Sequence, residues 1–431
     1  MTKNELKLLA GFYENELTNK FLHFWLPRCV DSENGGFVNC FDNSGENLIS
    51  RDKYTWSQGR FVWFFSKLAS MEAPIFSAAE RANFLALAKH GADFLMRYCL
   101  MGEDDWRCVF LMEADGTPKY VDGFDRLDMS VSADCFVVAG LAKYAEISGD
   151  MDAYNFAKCL YESVVDRIAR NDFQSLPYPL SKQFRSHGIP MIMCSVARDV
   201  YFAALKLEEG YAETVKAQMA GYSADVLDHF VDENYLLHEI ITDDNKFFNK
   251  KLGMHINPGH TIEDVWFHLD AIDVMDCPEW EARRPFVHKV ALKALETGWD
   301  EEFGGILHYA SLTGGMPTGD NSGLEDEPMS QQLSGWGDKL WWLHSEALYS
   351  TLRCYFESGN EEFKAWHDKV FDYTYETFPN TDPEIREWKQ IRERDGKAAE
   401  KVVALPVKDP YHIIRNLILI IELLYAQLEK N

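Results

Sequence analysis

The residues from 257 to 264, NPGHTIED, combine a turn, a helix start and two side chains that can move protons. The Pro-Gly pair indicates a turn, and Thr261 with Asp264 three residues later predicts a capping box where a helix begins. His260 then lies at the mouth of that helix, with Glu263 on the same face. Because the positive end of the helix dipole disfavours an imidazolium, we expect a neutral His260 that accepts a proton.

Three residues elsewhere in the chain could complete a site for proton transfer. They are Arg60 in YTWSQGRFVWFF, Glu346 in KLWWLHSEAL and His412 in DPYHIIRNL. Two neutral histidines, an arginine and two carboxylates suit proton abstraction beside a carbonyl. One histidine would remove the proton while Arg60 stabilises the enediolate oxygen, and the second would return a proton on the opposite face. This chemistry needs no metal.

Each of these residues also has a purely structural interpretation. Arg60 could form a structural ion pair, and Glu346 could pair with Lys339 or be solvated. His412 could be a core histidine whose hydrogen bonds are satisfied. His344 points away from the helix face that carries Glu346, so we expect it to be structural.

The elements that must position these residues are mostly helices. The periodicity of apolar residues predicts twelve of them, near 3–27, 54–70, 78–101, 127–148, 151–170, 189–207, 210–231, 260–277, 279–299, 336–358, 360–378 and 409–429. Acidic, turn-rich segments recur between them, starting at 31, 103, 232, 300 and 386, with a degenerate copy near 171. Each segment predicts a strand, a polar turn and a second strand.

Six helix pairs with six hairpin-like connections predict an all-α fold, a closed (α/α)6 barrel with short β-hairpin connections, in one domain over residues 1–431. A linear solenoid is the alternative, but the very apolar last helix favours closure. All the candidate residues lie on even-numbered helices, which on one ring assignment are the inner ones. Arg60, His260, Glu263 and His412 also lie near helix N-termini, hence at one end of the barrel.

The composition of the chain argues against some binding partners and indicates the compartment. A net charge of −26 argues against nucleic acid and anionic membranes. Nine scattered cysteines without a C-x-x-C pair predict free thiols in a reducing compartment. The N-terminus has no signal-peptide core, and the apolar run 417–424 is too short to span a bilayer, so we expect a cytoplasmic protein. The 12 Trp, 19 Tyr and 28 Phe exceed the needs of a core, and ring-rich clefts stack against sugars.

Six motifs in order along the chain resemble one family of sugar epimerases and isomerases, the N-acylglucosamine 2-epimerase family. They are GGFVNCFD at 35–42, DKYTWSQGRFVW at 52–63, NPGHTIE at 257–263, GGILHY at 304–309, KLWWLHSEA at 339–347 and YHIIR at 411–415. The resemblance implies an (α/α)6 barrel that opens a free reducing sugar and inverts C2 through an enediolate. It implies no metal or redox cofactor. It also implies a homodimer and, in some members, activation by a nucleotide such as ATP, for which no site is assigned.

Positions carried over from the family give the expected roles. His260 and His412 are the acid/base pair, supported by Arg60, Glu263 and Glu346. We also expect three residues to contact the substrate: Trp56, Trp342 and Lys408.

Two departures bear on the substrate. Where related cellobiose epimerases carry histidines, GIPMIMCSVA has Met191 and Met193, which resembles the N-acetylglucosamine branch. A glycine-rich stretch of the family is replaced by ALPVKDP, which keeps Lys408 but not the glycines. We therefore expect a 2-epimerase interconverting N-acetyl-D-glucosamine and N-acetyl-D-mannosamine.

Three alternatives stay open on the sequence alone. The first is an epimerase or aldose–ketose isomerase of unacetylated sugars such as mannose. The second is a glycoside hydrolase, in which Glu263 and Glu346 would be the carboxylate pair and the histidines would have no role. The third is a sugar- or protein-binding module without catalysis.

Overall fold

Twelve long helices form the frame of the molecule. The computed structural model describes residues 1–430. The helices are α1 Lys3–Glu16, α2 Thr55–Ser70, α3 Ala78–Tyr98, α4 Val131–Ser148, α5 Met151–Ala169, α6 Gly188–Leu207, α7 Glu209–His229, α8 Pro258–Met275, α9 Arg284–Gly298, α10 Trp341–Ser358, α11 Glu361–Thr377 and α12 Tyr411–Lys430. The chain continues from α1 through a π-helical stretch, Leu17–Leu22, into a last turn, His23–Trp25. Short helices also occur at Pro278–Glu281 and Pro328–Gln332. All twelve predicted helices are confirmed.

The even-numbered helices form a closed inner ring. Each packs against the next even-numbered helix, and α12 returns to pack against α2. Each odd-numbered helix packs on the outside against an inner neighbour, and α1 covers α12. The closed (α/α)6 barrel is therefore confirmed over the linear solenoid, which would leave α2 and α12 apart.

The ring is tightest where α2 crosses α4. A Cβ added to Gly59 would lie 2.2 Å from the Phe136 carbonyl oxygen, and one added to Gly140 would lie 2.4 Å from the Gly59 oxygen. Both distances are far inside van der Waals contact, so only glycine lets the two backbones touch. This contact fixes the spacing of α2, which carries Arg60, relative to the ring.

Thirteen short strands lie in the connections that lead into the inner helices. They are β1 Cys40–Phe41, β2 Leu48–Ser50, β3 Lys53–Tyr54, β4 Leu100–Gly102, β5 Asp105–Cys108, β6 Leu111–Met112, β7 Pro118–Lys119, β8 Phe184–Ser186, β9 Ile240–Thr242, β10 His255–Ile256, β11 Ala310–Ser311, β12 Lys339–Leu340 and β13 Ile391–Arg392. All pairs are antiparallel, including the registers His255↔Ser311 and Lys339↔Arg392.

Hairpins between two strands form in two of the six connections, and the other four connections differ from the predicted pattern. Hairpins β1–β2, β4–β5 and β6–β7 do form. In contrast, β3 pairs with β6, β8 with β9, β10 with β11 and β12 with β13, and each of these pairs joins two neighbouring connections around the barrel. Alternation of residues predicts that a segment is a strand but not which strand it pairs with.

The weak repeat has a local cause in an aspartate after an outer helix. The Oδ1 atoms of Asp31, Asp232 and Asp300 each accept a backbone N–H from two residues further on, at 3.2, 2.8 and 3.1 Å. Such Asx turns account for the acidic residue that opens three of the recurring segments. Asp300 also binds the Lys339 amine at 2.9 Å, so Lys339 does not pair with Glu346.

Two inner helices, α6 and α12, are long and apolar enough to cross a membrane by length and composition. In each, 61% of the apolar window is buried inside the barrel, as in the core helices of many globular proteins. Their apolar character is therefore accounted for by packing in the ring.

Candidate active site

A cavity of about 640 Å³ opens at the N-terminal ends of the inner helices. This volume lies within the usual range for small-molecule sites. Six of the eight predicted site residues line it: Trp56, Arg60, His260, Glu263, Trp342 and His412. They come from four inner helices, α2, α8, α10 and α12, so the closed ring brings together residues more than 350 positions apart.

The start of α8 differs from the predicted capping box. The helix begins at Pro258, and the N-cap is Asn257, whose side chain accepts the His260 N–H at 3.1 Å. Thr261 donates its hydroxyl to the Asn257 carbonyl at 3.2 Å, and Asp264 is buried. The prediction was wrong because proline is favoured in the first turn, which allows the helix to begin two residues before the predicted start at 260. His260 still lies in that first turn.

The indole of Trp342 lies between the two histidines. Its ring centroid is 5.3 Å from that of His260 and 5.6 Å from that of His412. Gly259 makes this approach possible, because a Cβ there would lie 2.7 Å from the Trp342 ring and 2.4 Å from Leu343 Cγ. The two imidazoles therefore line the cavity on either side of one rigid aromatic surface.

His260 is held by a glutamate that the sequence analysis missed. Its Nδ1 lies 3.0 Å from Oε1 of Glu239, which is buried in the connection before α8. Burial alone would raise the pKa of Glu239, but its electrostatic interaction with His260 and the hydrogen bond from His187 hold that pKa well below its ordinary value. An ionised carboxylate only accepts, so His260 carries a proton on Nδ1. Its Nε2 is then left as the base.

His412 is held in the same way by Glu346. Its Nδ1 lies 2.8 Å from Glu346 Oε1, and Glu346 also accepts N–H groups from Trp266 at 3.0 Å and Asn416 at 2.7 Å. Burial would raise the pKa of Glu346, but the Arg415 guanidinium and His412 lower it to about 2. Glu346 is fully buried behind His412, so it orients the imidazole and does not reach the cavity.

Glu263 does not sit beside His260 as a partner. Its Oε1 binds the guanidinium of Arg415, which also binds Glu346, and it lies 3.8 Å from His412 Nδ1. The helical spacing of His260 and Glu263 is as predicted, but the carboxylate is directed across the cavity towards α12.

Arg60 presents a fixed positive charge next to His412. Its Nη1 donates to Asp409 at 2.7 Å, and its Nη2 lies 3.2 Å from His412 Nε2. The guanidinium also lies 4.1 Å from the Phe136 ring centroid and 4.9 Å from that of Tyr411. Arg60 therefore directs N–H groups at the atom that would exchange a proton, where they could stabilise a developing oxyanion.

The expectation that Lys408 contacts substrate is wrong in this structure. Its amine is buried, donates to the Asn43 carbonyl at 2.8 Å and pairs with Glu387 at 2.6 Å. The apolar residues before it line the cavity in its place: Val403, Ala404, Leu405 and Val407. His344 is structural, as expected, since its Nδ1 lies 2.7 Å from the Leu340 carbonyl.

Two clusters have the donor types of a metal site. His187, Glu239 and His260 form one, and Glu263, Glu346 and His412 form the other. In the second cluster the Arg415 guanidinium is bonded to both carboxylates, which fills the place of a cation. In the first, both histidines direct Nδ1 at Glu239. These donor sets fit hydrogen-bonded acid/base groups better than an open metal site.

Signals for the missed residues were present in the sequence. Arg415 follows His412 by three residues, the spacing that linked Glu263 to His260. Glu239 is an acidic residue beside the apolar strand β9, where a buried charge implies a partner. Its partner, however, is set by the tertiary fold.

Known proteins share both the sequence pattern and the fold of this chain. A family model described as N-acylglucosamine 2-epimerase (GlcNAc 2-epimerase) matches residues 35–416. The N-acylglucosamine 2-epimerase of Bos taurus is 29% identical over 411 residues, covering 94% of this chain and 89% of the relative. That of Mus musculus is 28% identical over 421 residues, covering 97% and 92%. The cellobiose 2-epimerase structure from Bacillus thermoamylovorans B4167 shares the fold, with a TM-score of 0.75 at 18% identity over 96% of this chain and 99% of that one.

Proposed function

The chain belongs to the N-acylglucosamine 2-epimerase family, and from this we propose that it interconverts N-acetyl-D-glucosamine and N-acetyl-D-mannosamine. It is an isomerase of the carbohydrate epimerase type. The observation that carries the proposal is the pair of imidazoles on either side of Trp342, each with Nδ1 bonded to a buried glutamate.

The proposed reaction is a proton transfer through an enolate. In the open-chain sugar, Nε2 of one histidine removes the C2 proton. The electron pair of the C2–H bond forms the C1–C2 double bond, and the π pair of the C1 carbonyl moves to its oxygen. The Arg60 guanidinium stabilises the resulting oxyanion. The other histidine, which enters this step doubly protonated, donates its Nε2 proton to the opposite face of C2 and inverts that carbon. Proton exchange with solvent then restores both imidazoles for the next turnover. No electron enters or leaves the substrate, so no redox cofactor takes part.

The wall of the cavity supports an N-acetylated substrate. Met191 lines the cavity together with Phe136 and Phe267, where an acetyl methyl group could be buried. Burial of one methyl or methylene group contributes roughly 0.8 kcal/mol. The thioether of Met191 is a poor hydrogen-bond partner for the hydroxyls of a second sugar unit.

The decisive experiment follows C2 hydrogen by NMR in deuterated water. N-acetyl-D-glucosamine should yield N-acetyl-D-mannosamine that carries deuterium at C2. A folded preparation that leaves the C2 hydrogen in place would refute the mechanism. Mannose, cellobiose and a xylo-oligosaccharide belong in the same panel, and faster conversion of either free sugar, or release of new reducing ends, would refute the substrate assignment.

Two variants test the two-base arrangement. Without its partner, each histidine should still exchange C2 hydrogen in one epimer but not invert it. His260→Ala and His412→Ala should therefore each lose epimerisation by about 10³-fold or more and retain exchange in opposite epimers. Loss of exchange in both epimers in both variants would contradict this division of labour.

The setting of the enzyme belongs to the proposal as well. We propose a cytoplasmic homodimer in amino-sugar metabolism; nine free thiols and the acidic charge support such a compartment. Light scattering on the purified chain tests the dimer, and a monomer at micromolar concentration would refute it. Adding ATP to the exchange assay tests nucleotide activation.

A further inference from the structure

His187 is a buried histidine that lies behind the hydrogen-bonded pair of His260 and Glu239. We propose that His187 is a charged imidazolium at neutral pH that keeps Glu239 ionised and thereby makes His260 a base, as Arg415 does for His412 through Glu346. His187 is thus a positioning residue that does not touch substrate. The effect of His187 on turnover rests on the proposed function. Its charge does not rest on that function and can be measured without substrate.

The geometry around His187 requires both ring nitrogens to be donors. Its Nδ1 lies 3.4 Å from Glu239 Oε2, and its Nε2 lies 2.8 Å from Asp264 Oδ2. An ionised carboxylate has no proton to donate, so each nitrogen that faces one must carry its own hydrogen. Only the imidazolium has two N–H groups.

Burial makes this charge necessary. The side chains of His187 and Asp264 have no exposed surface, and that of Glu239 is 4% exposed. Two buried carboxylates without a cation would carry a large desolvation cost. Burial would lower the pKa of His187, but the hydrogen bonds to Asp264 and Glu239 raise it to about 9.

The two sides of the cavity repeat one arrangement with different cations. The His260 arm is defined as His260, Glu239, His187 and Asp264. The His412 arm is defined as His412, Glu346, Arg415 and Glu263. Each arm has two carboxylates and one cation, so its net charge is −1 while the cavity histidine is neutral and zero once that histidine takes up a proton. Both arms therefore favour proton uptake from the substrate.

Two carboxylates, two further histidines and one aromatic ring surround His187. Glu239 and Asp264 contact its two nitrogens, and the His260 ring centroid lies 6.1 Å away. Behind Asp264, His268 Nε2 lies 3.1 Å from Oδ2, and the aromatic ring of Phe230 covers His187 at 6.1 Å. The cation on this side can lose its proton, whereas Arg415 on the other side cannot.

Replacing His187 should move the acid limb of the pH profile of turnover to higher pH. Without the cation, one of the two buried carboxylates takes up a proton near neutral pH. A protonated Glu239 donates to His260 Nδ1, which moves the histidine proton to Nε2 and removes the base. Because higher pH withdraws the added proton from Glu239, activity should recover as pH rises.

The first test reads the charge directly and needs no substrate. In protein with 15N-labelled histidine side chains, one ring should stay doubly protonated at about pH 8, where ordinary histidines are neutral. That signal should vanish in His187→Gln. If the variant does not fold, the wild-type spectrum still decides, because the absence of any doubly protonated ring at about pH 8 overturns the proposal.

The second test is the pH dependence of C2 exchange. In His187→Gln the acid limb should move up by about one pH unit or more, so that the rate near pH 6.5 falls at least tenfold relative to that near pH 9. The control is His255→Gln, which removes a buried imidazole near Glu239 whose Nδ1 lies 2.7 Å from the Leu252 carbonyl. Its acid limb should stay in place.

The outcomes separate this proposal from the proposed function. An equal fall at every pH in His187→Gln, or an equal shift of the limb in His255→Gln, overturns the role of His187. If no sugar in the panel exchanges C2 hydrogen, the proposed function fails, while the ring spectrum still tests the charge of His187.

Discussion

Replacement of Glu239 by glutamine removes one negative charge and almost no volume. Oε1 of Glu239 lies 3.0 Å from His260 Nδ1, within a buried environment. When His260 takes up the substrate proton, attraction between unit charges at that distance is about 5 kcal/mol at an effective dielectric constant of ~20. The amide oxygen of glutamine still accepts the Nδ1 hydrogen, and His187 offsets part of the attraction. The net loss in the transition state is therefore about 3–4 kcal/mol.

A loss of that size lowers kcat by about 10²–10³-fold. KM should change by less than about fivefold, because the interaction strengthens only when His260 is charged. The assay is C2 exchange and epimerisation by NMR at saturating sugar, with thermal unfolding measured on the same samples.

The matched control is Glu233→Gln, an exposed glutamate in the same connection. It should retain the kcat of the unmodified protein. If folded Glu239→Gln came within about fivefold of the unmodified kcat, the carboxylate would not set the proton position on His260. A buried carboxylate behind each histidine would then not be what makes that histidine a base.

Three further predictions concern the rest of the site. Arg60→Lys keeps the charge but cannot hold Asp409 and an oxyanion at once, so kcat should fall about 10²-fold in the exchange assay; an unchanged kcat would exclude oxyanion stabilisation by this fork. Lys408→Met leaves Glu387 unpaired in the interior, so denaturant unfolding should show a loss of about 3–5 kcal/mol, whereas a raised KM with unchanged stability would restore Lys408 as a substrate contact. The pKa of Glu346 is lowered from 4.5 to about 2, so its contribution to stability is present above pH 4.5 and is lost as pH falls towards 2. Glu346→Gln should make acid unfolding shallower over that window, and an unchanged slope would contradict the lowered pKa.

Much of the frame could be predicted because its causes are local. Apolar periodicity identified all twelve helices, and an aspartate that closes a turn on its own backbone accounts for the acidic residue that opens three of the recurring segments. The boundary at Pro258 was missed by two residues, since Asn257 competes with Thr261 as a cap within the same few positions. An error of this kind shifts the boundary of a helix by a few residues but does not change whether the helix forms.

Side-chain partners could not be predicted in the same way. Lys408 occupies the position of a family motif, yet its amine turns inward to Glu387, because the closed ring buries that stretch of chain. The strands before the inner helices were identified, but most pair with a neighbouring connection. Both outcomes depend on which segments meet after the ring closes.

By itself, the sequence determined the helices, the strand-bearing connections and the presence of His260 and His412 at one end of the barrel. These follow from hydrogen bonds and periodicities that span at most a few residues. Only the tertiary structure decided that Glu239 holds His260 and that Glu346, 66 residues before His412, holds that second imidazole. A buried carboxylate binds the donors that closure of the ring brings next to it. No spacing along the sequence shows which donors those are.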